Sequence, residues 1–377
     1  NKINNLLTGS KSIFRLIGIV IFAGGIIASL IVPYIVHKMQ ISKIFVFLLF
    51  FLYALDYLST YLLLLPYKVI FSADQKSYII NYFTNSKQLI FRTLELFVNS
   101  IKFNIILILL ISVISNFIVN KLIIMKAKKT YKWINLFATP DHSPVKMTKD
   151  VFLHRIMKFI FHNTDIMLIS IFKGLTSVSI YGAYNYIIQY LIQLANFVYK
   201  APQAAIANYI KSEKSEEEKT SIIAEYFTVT FILCLIVTPL FIVGIAEFIE
   251  IWIDASYVLN KYVIILFGGI LWAEFISYSL FSLIEANGLF SETKKIAMYA
   301  SVLNVLFSTI LIFKFELVGV LFATLTTNVL LHLTYSKHIF RNILNEKNTN
   351  FLKKYFINIL VIIILVIINK NISNLFL

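Results

Sequence analysis

The stretch VFLHRIMKFIFHNTDIMLISIF, Val151–Phe172, is apolar enough to enter a bilayer, yet Arg155, Lys158, His162 and Asp165 recur in it every three or four residues. That spacing places all four on one face of an α-helix, with Ile, Leu, Met and Phe around the rest. An ionisable group near the bilayer centre costs about 2.5–3.5 kcal/mol on insertion scales, so the stripe is expected to face protein or water. A second stretch, Gln88–Lys102, repeats the spacing with Gln88, Arg92, Glu95, Asn99 and Lys102. Two polar, partly cationic faces are therefore expected to look into one intramembrane cavity.

The remaining chain supplies the walls. It is 59% hydrophobic and 14% charged, with a mean hydropathy of +0.81, well above the roughly 45–50% apolar content of soluble domains. Apolar runs of about 20 residues recur along its length, which predicts a polytopic, all-α transmembrane bundle. Only 11 Gly and 6 Pro argue against a turn-rich β-barrel, whose strands would also alternate every second residue. Cys234 is the single cysteine and lies in an apolar run, so it forms no intramolecular disulfide. The net charge of +15 does not call for a nucleic-acid partner, because cytoplasmic loops of membrane proteins accumulate Lys and Arg. The chain opens on Asn1 with no basic-then-apolar leader before the first span, and it is expected to be a piece of a longer protein.

Eleven spans are predicted: 13–36, 41–65, 80–101, 103–124, 151–172, 178–201, 221–246, 258–284, 296–313, 317–335 and 355–372. Span seven is expected to kink at Pro239. Alternate loops and helix ends hold 25 of the 34 Lys and Arg, against seven on the other side. The Lys-rich side is accordingly cytoplasmic. FSADQK (Phe71–Lys76) follows span two and FSETKK (Phe290–Lys295) follows span eight. With six spans between them, the two motifs predict two pseudo-symmetric lobes of six helices related by an axis along the membrane normal.

Several segments resemble one family: Ala73-Asp74-Gln75-Lys76 with Tyr78, Thr164–Ser170, Val178–Tyr184, Ala207–Ile210, Ile251–Ile253 and Ala286–Phe290. Their order among the spans is similar to that of the Wzx-type oligosaccharide/polysaccharide flippases of the multidrug/oligosaccharidyl-lipid/polysaccharide exporter superfamily. The resemblance covers nearly the whole chain. It implies twelve or fourteen spans around a central cavity, with the first two helices and the last one absent here. It further implies a partial N-terminal lobe over 1–125, a cytoplasmic inter-lobe linker over 126–150, a C-terminal lobe over 151–340 and an extra helix over 341–377. The expected activity is alternating-access flipping of a lipid-linked, polyprenyl-pyrophosphate oligosaccharide to the outer leaflet for cell-surface polysaccharide export (O-antigen or capsule). The setting would be a bacterial cytoplasmic membrane, with a polysaccharide polymerase or ligase complex as partner and no cofactor or metal.

Within that frame Arg92, Lys102, Arg155 and Lys158 are candidate pyrophosphate ligands through charge-assisted hydrogen bonds, with Gln88 a neutral donor one turn from Arg92. Lys87 is not expected to join them, because five residues is about 140° around a helix from Arg92. The bland alternative is an Arg92–Glu95 intrahelical pair, with Lys102, Arg155 and Lys158 snorkelling to the interfaces. Asp165 with His162, and Asp56 and Glu274, are candidate ion-coupling groups, the alternative being polar contacts between helices. The tyrosines of span six can stack on sugars, though tyrosine in a span more often packs or anchors at the interface. Asp74 is expected to cap a helix. No phosphate loop, metal spacing or nucleophile elbow is present, so an enzyme is not expected. The competing readings are a cation-coupled multidrug exporter and a membrane-embedded glycan polymerase or ligase.

Overall fold

The computed structural model describes residues 2–35, 42–101, 104–212, 215–344 and 348–373. Every long element is an α-helix, with no strand among the described residues. The chain divides into two units, Asn1–Thr148 and Lys149–Leu377.

The first unit holds α1 (Lys2–Ile35), α2 (Lys43–Ser59), α3 (Leu65–Ala73), α4 (Ser77–Ile101) and α5 (Ile105–Thr130). Ser42 caps α2 and Asn104 caps α5, each side chain accepting a first-turn N–H. α2 and α3 are one span interrupted by a π-helical turn, Thr60–Leu64, in which the Leu65 N–H reaches back to the Thr60 carbonyl. Pro66 explains the interruption. It has no N–H for the Leu62 carbonyl and its ring crowds that oxygen, so the turn widens. Asn120 of α5 braces the turn, donating to Ser59 Oγ at 3.0 Å and Thr60 Oγ1 at 3.2 Å.

The second unit continues α6 (Ser143–Lys173) and adds α7 (Leu175–Lys211), α8 (Glu216–Trp252), α9 (Lys261–Asn287), α10 (Phe290–Ile343) and α11 (Thr349–Ser373). α8 starts on a capping box between Ser215 and Glu218, which satisfies two otherwise orphaned N–H groups. α10 is two spans: its backbone leaves the helix at Glu316, at φ 53° and ψ −134°, where Lys173 pairs with the Glu316 carboxylate. Counted this way, the described residues form eleven long helices, as expected. Among the described residues, seven helical stretches are long and apolar enough to cross a membrane, α10 counting as one of them. α4, α6 and α7 are equally long and more polar, and two of them carry the stripes singled out in the sequence.

α9 is the axis of this unit, with 72% of its span buried. It approaches α8 closely because position 268 is glycine; a Cβ there would lie 2.3 Å from Ile242 Cγ1. Gly268→Ala is expected to force the helices apart at a cost of about 1–3 kcal/mol, seen as a lower melting temperature in detergent. An unchanged melting temperature would show that Ile242 moves aside.

The coil between α5 and α6 spans 131–142, inside the expected 126–150 linker, because α5 runs on through Thr130 and α6 starts at Ser143. One expectation changes. The FSADQK and FSETKK segments do not occupy equivalent places. Phe71 and Ser72 end α3 and the break follows at Asp74 and Gln75, whereas Phe290 and Ser291 start α10 after the break at Gly288. Their likeness is in sequence and not in local structure.

Candidate functional site

In the first unit, the Arg92 face of α4 is exposed. Arg92 is paired with Glu95 on its own helix at 2.6 Å, with its side chain 56% exposed. Gln88 is exposed as well. Lys102 lies outside the described residues. Lys87 faces α5: its Nζ donates to Asn116 Oδ1 at 2.8 Å, and Asn116 Nδ2 in turn donates to Asp56. Ser112 Oγ reaches the other Asp56 oxygen at 3.5 Å. Asp56 thus belongs to a polar bridge joining α2, α4 and α5. A legible signal was the stripe Ser112, Asn116 and Asn120, spaced by four residues along an apolar span.

In the second unit, the α6 stripe meets α9 and α10. Arg155 pairs with Glu285 at 2.7 Å, and Gln203 of α7 donates to the other oxygen of that carboxylate at 3.3 Å. Lys158 lies over the Tyr278 and Phe281 rings, 4.0 and 4.7 Å from their centroids, a cation–π arrangement. His162 and Asp165 do not pair with one another. His162 Nδ1 stands 3.5 Å from Glu274 of α9, while Asp165 accepts from Thr324 Oγ1 at 3.0 and 2.8 Å. Asp165 and Glu274 are each only 3% exposed. Thr324 also accepts from Asn304, so the carboxylate ends a polar chain within the helix pair of α10.

Residues outside the expected set share this interior. His154, 2% exposed, lies one turn before Lys158 and bonds Tyr335 at 3.0 Å. His332, fully buried, links Tyr355 of α11 at 3.0 Å to Ser277 of α9 at 2.8 Å. Ser277 donates onward to Asn328 at 3.2 Å. A cavity of about 40 Å³ lies among His154, Lys158, His162, Ser277, Asn328 and Tyr335. That is room for two or three waters and far too little for a sugar. The spacing of His154, Lys158 and His162 by four residues was the available signal for α6; nothing in the sequence pairs His332 with Tyr355.

Of the tyrosines on α7, Tyr181 and Tyr184 are buried and Tyr184 stacks on Phe267 at 5.0 Å. Tyr186 and Tyr190 are half exposed and hydrogen-bonded to each other at 2.9 Å. Among the described residues, no group of three or more His, Cys, Asp or Glu is placed to hold a metal.

Solved structures share this fold. The chain is similar to a multidrug-resistance MATE family transporter of the MOP superfamily in an outward-facing conformation. The two are 11% identical over 88% of this chain and 82% of that one, with a TM-score of 0.54. It is also similar to the Vibrio cholerae MATE transporter VcmN in its bent form, 12% identical over 91% of this chain and 80% of that one, with a TM-score of 0.56. Neither a protein-family model nor a curated protein sequence matches the chain.

Proposed function

We propose that this chain is a multi-pass membrane transporter working by alternating access, and that it moves a lipid-linked oligosaccharide from the cytoplasmic to the outer leaflet of a bacterial cytoplasmic membrane. The observation that carries the reading is an ionisable seam inside one membrane-spanning unit of a transporter-type fold. Arg155, Lys158, His162 and Asp165 of α6 each meet a partner on α9 or α10. Ionisable groups at membrane depth are expensive and mark transport pathways by default.

Two features support the oligosaccharide over other cargo. Arg155 and Lys158 supply positive charge next to Tyr278 and Phe281, and this combination suits a pyrophosphate joined to a sugar. Arg155 is tied to Glu285, so a pyrophosphate competes with that carboxylate for the guanidinium and binding stays reversible. Arg92 takes part only by leaving Glu95, and Lys87 joins it as a second candidate in the first unit. Asp165 and Glu274 are the proposed coupling groups. The same two buried acids favour a second reading, cation-coupled export of cationic drugs, because a drug cation also seeks a buried carboxylate. The resemblance noted in the sequence favours the flippase, and a glycan polymerase or ligase has no support from the transporter-type fold.

The test is the leaflet sidedness of completed glycan lipid in cells with and without the protein. Wild type is expected to move the units outward, and Arg155→Gln with Lys158→Gln to trap most of them inside. Equal crossing without the protein would discard the flippase, and drug efflux by the same cells would install the second reading.

A further inference from the structure

The first unit contains a pocket unrelated to the polar seams. It measures about 540 Å³ and lies where spans end and the 131–142 coil begins, between Lys11, Leu63, Pro66, Lys128, Lys132 and Phe137. Its volume is within the range of small-molecule sites, about 300–1,000 Å³.

The local sequence builds it. The π turn forced by Pro66 pushes Leu62 and Leu63 to one side of their helix and makes an apolar wall. Opposite, the coil folds back onto α1. Asn4 accepts from the Asn135 N–H at 3.0 Å and donates to the Trp133 carbonyl at 3.2 Å. The Asp141 N–H donates to the Asn5 carbonyl at 2.9 Å. Tyr131 fixes the floor by donating to Asp74 at 2.7 Å. Lys76, at 2.7 Å, and then this hydroxyl hold the Asp74 carboxyl below the usual carboxylate range. The Tyr131 hydroxyl is pushed up to about 12, first by burial and then by the carboxylate. The Ala73–Tyr78 motif thus anchors a coil, a role wider than capping a helix.

Three lysines converge on the opening. Lys11 is engaged by the Leu136 carbonyl at 3.4 Å and by the Phe137 ring at 4.6 Å. Lys128 and Lys132 are exposed and have no ion pair among the described residues. Beside them Trp133 and Phe137 are 50% and 89% exposed, side chains typical of a membrane–water interface. Cations at the mouth, aliphatic side chains from two membrane spans within and exposed aromatics at the rim match one kind of molecule, an anionic lipid whose phosphate stays at the surface while its first methylenes descend along Leu62 and Leu63. The Lys-rich sidedness puts this face toward the cytoplasmic leaflet, whose anionic lipids attract such clusters.

We propose that the pocket formed by the π turn, the end of α5 and the 131–142 coil binds an anionic phospholipid of the cytoplasmic leaflet through Lys128 and Lys132. Full-length protein in nanodiscs of equal phosphatidylglycerol and phosphatidylcholine, stripped gently and analysed by native mass spectrometry, provides the test. Wild type should retain one phosphatidylglycerol in preference to phosphatidylcholine by about tenfold or more, at roughly fivefold per lysine. Lys128→Gln with Lys132→Gln should bring the two lipids near parity, and Leu63→Gln should weaken both. Lys337→Gln with Lys353→Gln, in the other unit, should leave the preference intact and control for net charge. Equal retention by wild type, or a preference that survives the double substitution, would overturn the assignment. Full displacement by inorganic phosphate would overturn it too, showing a free-anion site with no use for the apolar wall.

Discussion

Asp165→Asn is expected to leave the protein folded and to reduce gradient-driven translocation on the order of tenfold or more. Asparagine keeps the volume of the side chain and an oxygen that accepts from Thr324 Oγ1, so the 2.8 Å contact between α6 and α10 survives. What disappears is the capacity to exchange a proton or a small cation at a position only 3% exposed. Translocation of the glycan lipid in proteoliposomes under an imposed pH or sodium gradient, with the melting temperature measured alongside, separates the two contributions. Thr324→Val makes the complementary change: the carboxylate remains and loses one of its two hydroxyl donors, Tyr181 being the other. A coupling role predicts that Asp165→Asn is lost to transport at full stability, and that Thr324→Val keeps some transport with a shifted pH dependence. Transport by Asp165→Asn equal to wild type at every gradient would reduce Asp165 to a contact between helices.

The second large effect concerns α11. Asn358, 3% exposed, accepts from Trp272 Nε1 of α9 at 3.0 Å and donates to the Phe231 carbonyl of α8 at 3.0 Å. One amide thereby satisfies two groups that have no water to turn to. Asn358→Leu strands the Trp272 indole N–H, at a cost of about 1–3 kcal/mol for a buried unsatisfied group, whereas the Phe231 carbonyl keeps its partner within α8. Hydrogen bonds between membrane helices average nearer 0.6 kcal/mol, yet here the indole N–H is left with no compensating group and a second bond is lost, so about 2 kcal/mol is the expected total. Tyr355→Phe removes only the bond to His332 and should cost about 1 kcal/mol. Thermal melting in detergent of the two variants gives the comparison. If Asn358→Leu costs no more than Tyr355→Phe, apolar packing of α11 and not its polar clamps holds the helix in place.

Much of the architecture was legible because a bilayer leaves few choices. A run of about 20 apolar residues must satisfy its own backbone, and only a helix does so within one segment, so the passes and the all-α class could be read from composition and spacing alone. Span two was expected to end at position 65, before Pro66; instead the helix widens into a π turn there and runs on to Ala73, because a residue without an N–H fails to serve only the one carbonyl four before it. The α6 stripe was legible too. Periodicity shows which residues share a face, and the cost of exposing charge to lipid says that this face meets protein. Periodicity says nothing about which neighbour that face meets. Hence His162 turned to Glu274, 112 positions later in the chain, and Asp165 to Thr324, although the two α6 residues are a turn apart. On α4 the same limit applies: Arg92 pairs with Glu95 on its own helix, one of the two alternatives its spacing left open, and Lys87, about 140° away, found Asn116. A short ion pair within a helix forms whatever the fold, while a bridge such as Lys87–Asn116–Asp56 exists only once three helices are assembled. The helices, their order and their polar faces follow from local physics acting on the sequence. Which charge is matched, and by what, was decided only by tertiary packing, because each buried polar group takes the partner that assembly brings within about 3 Å.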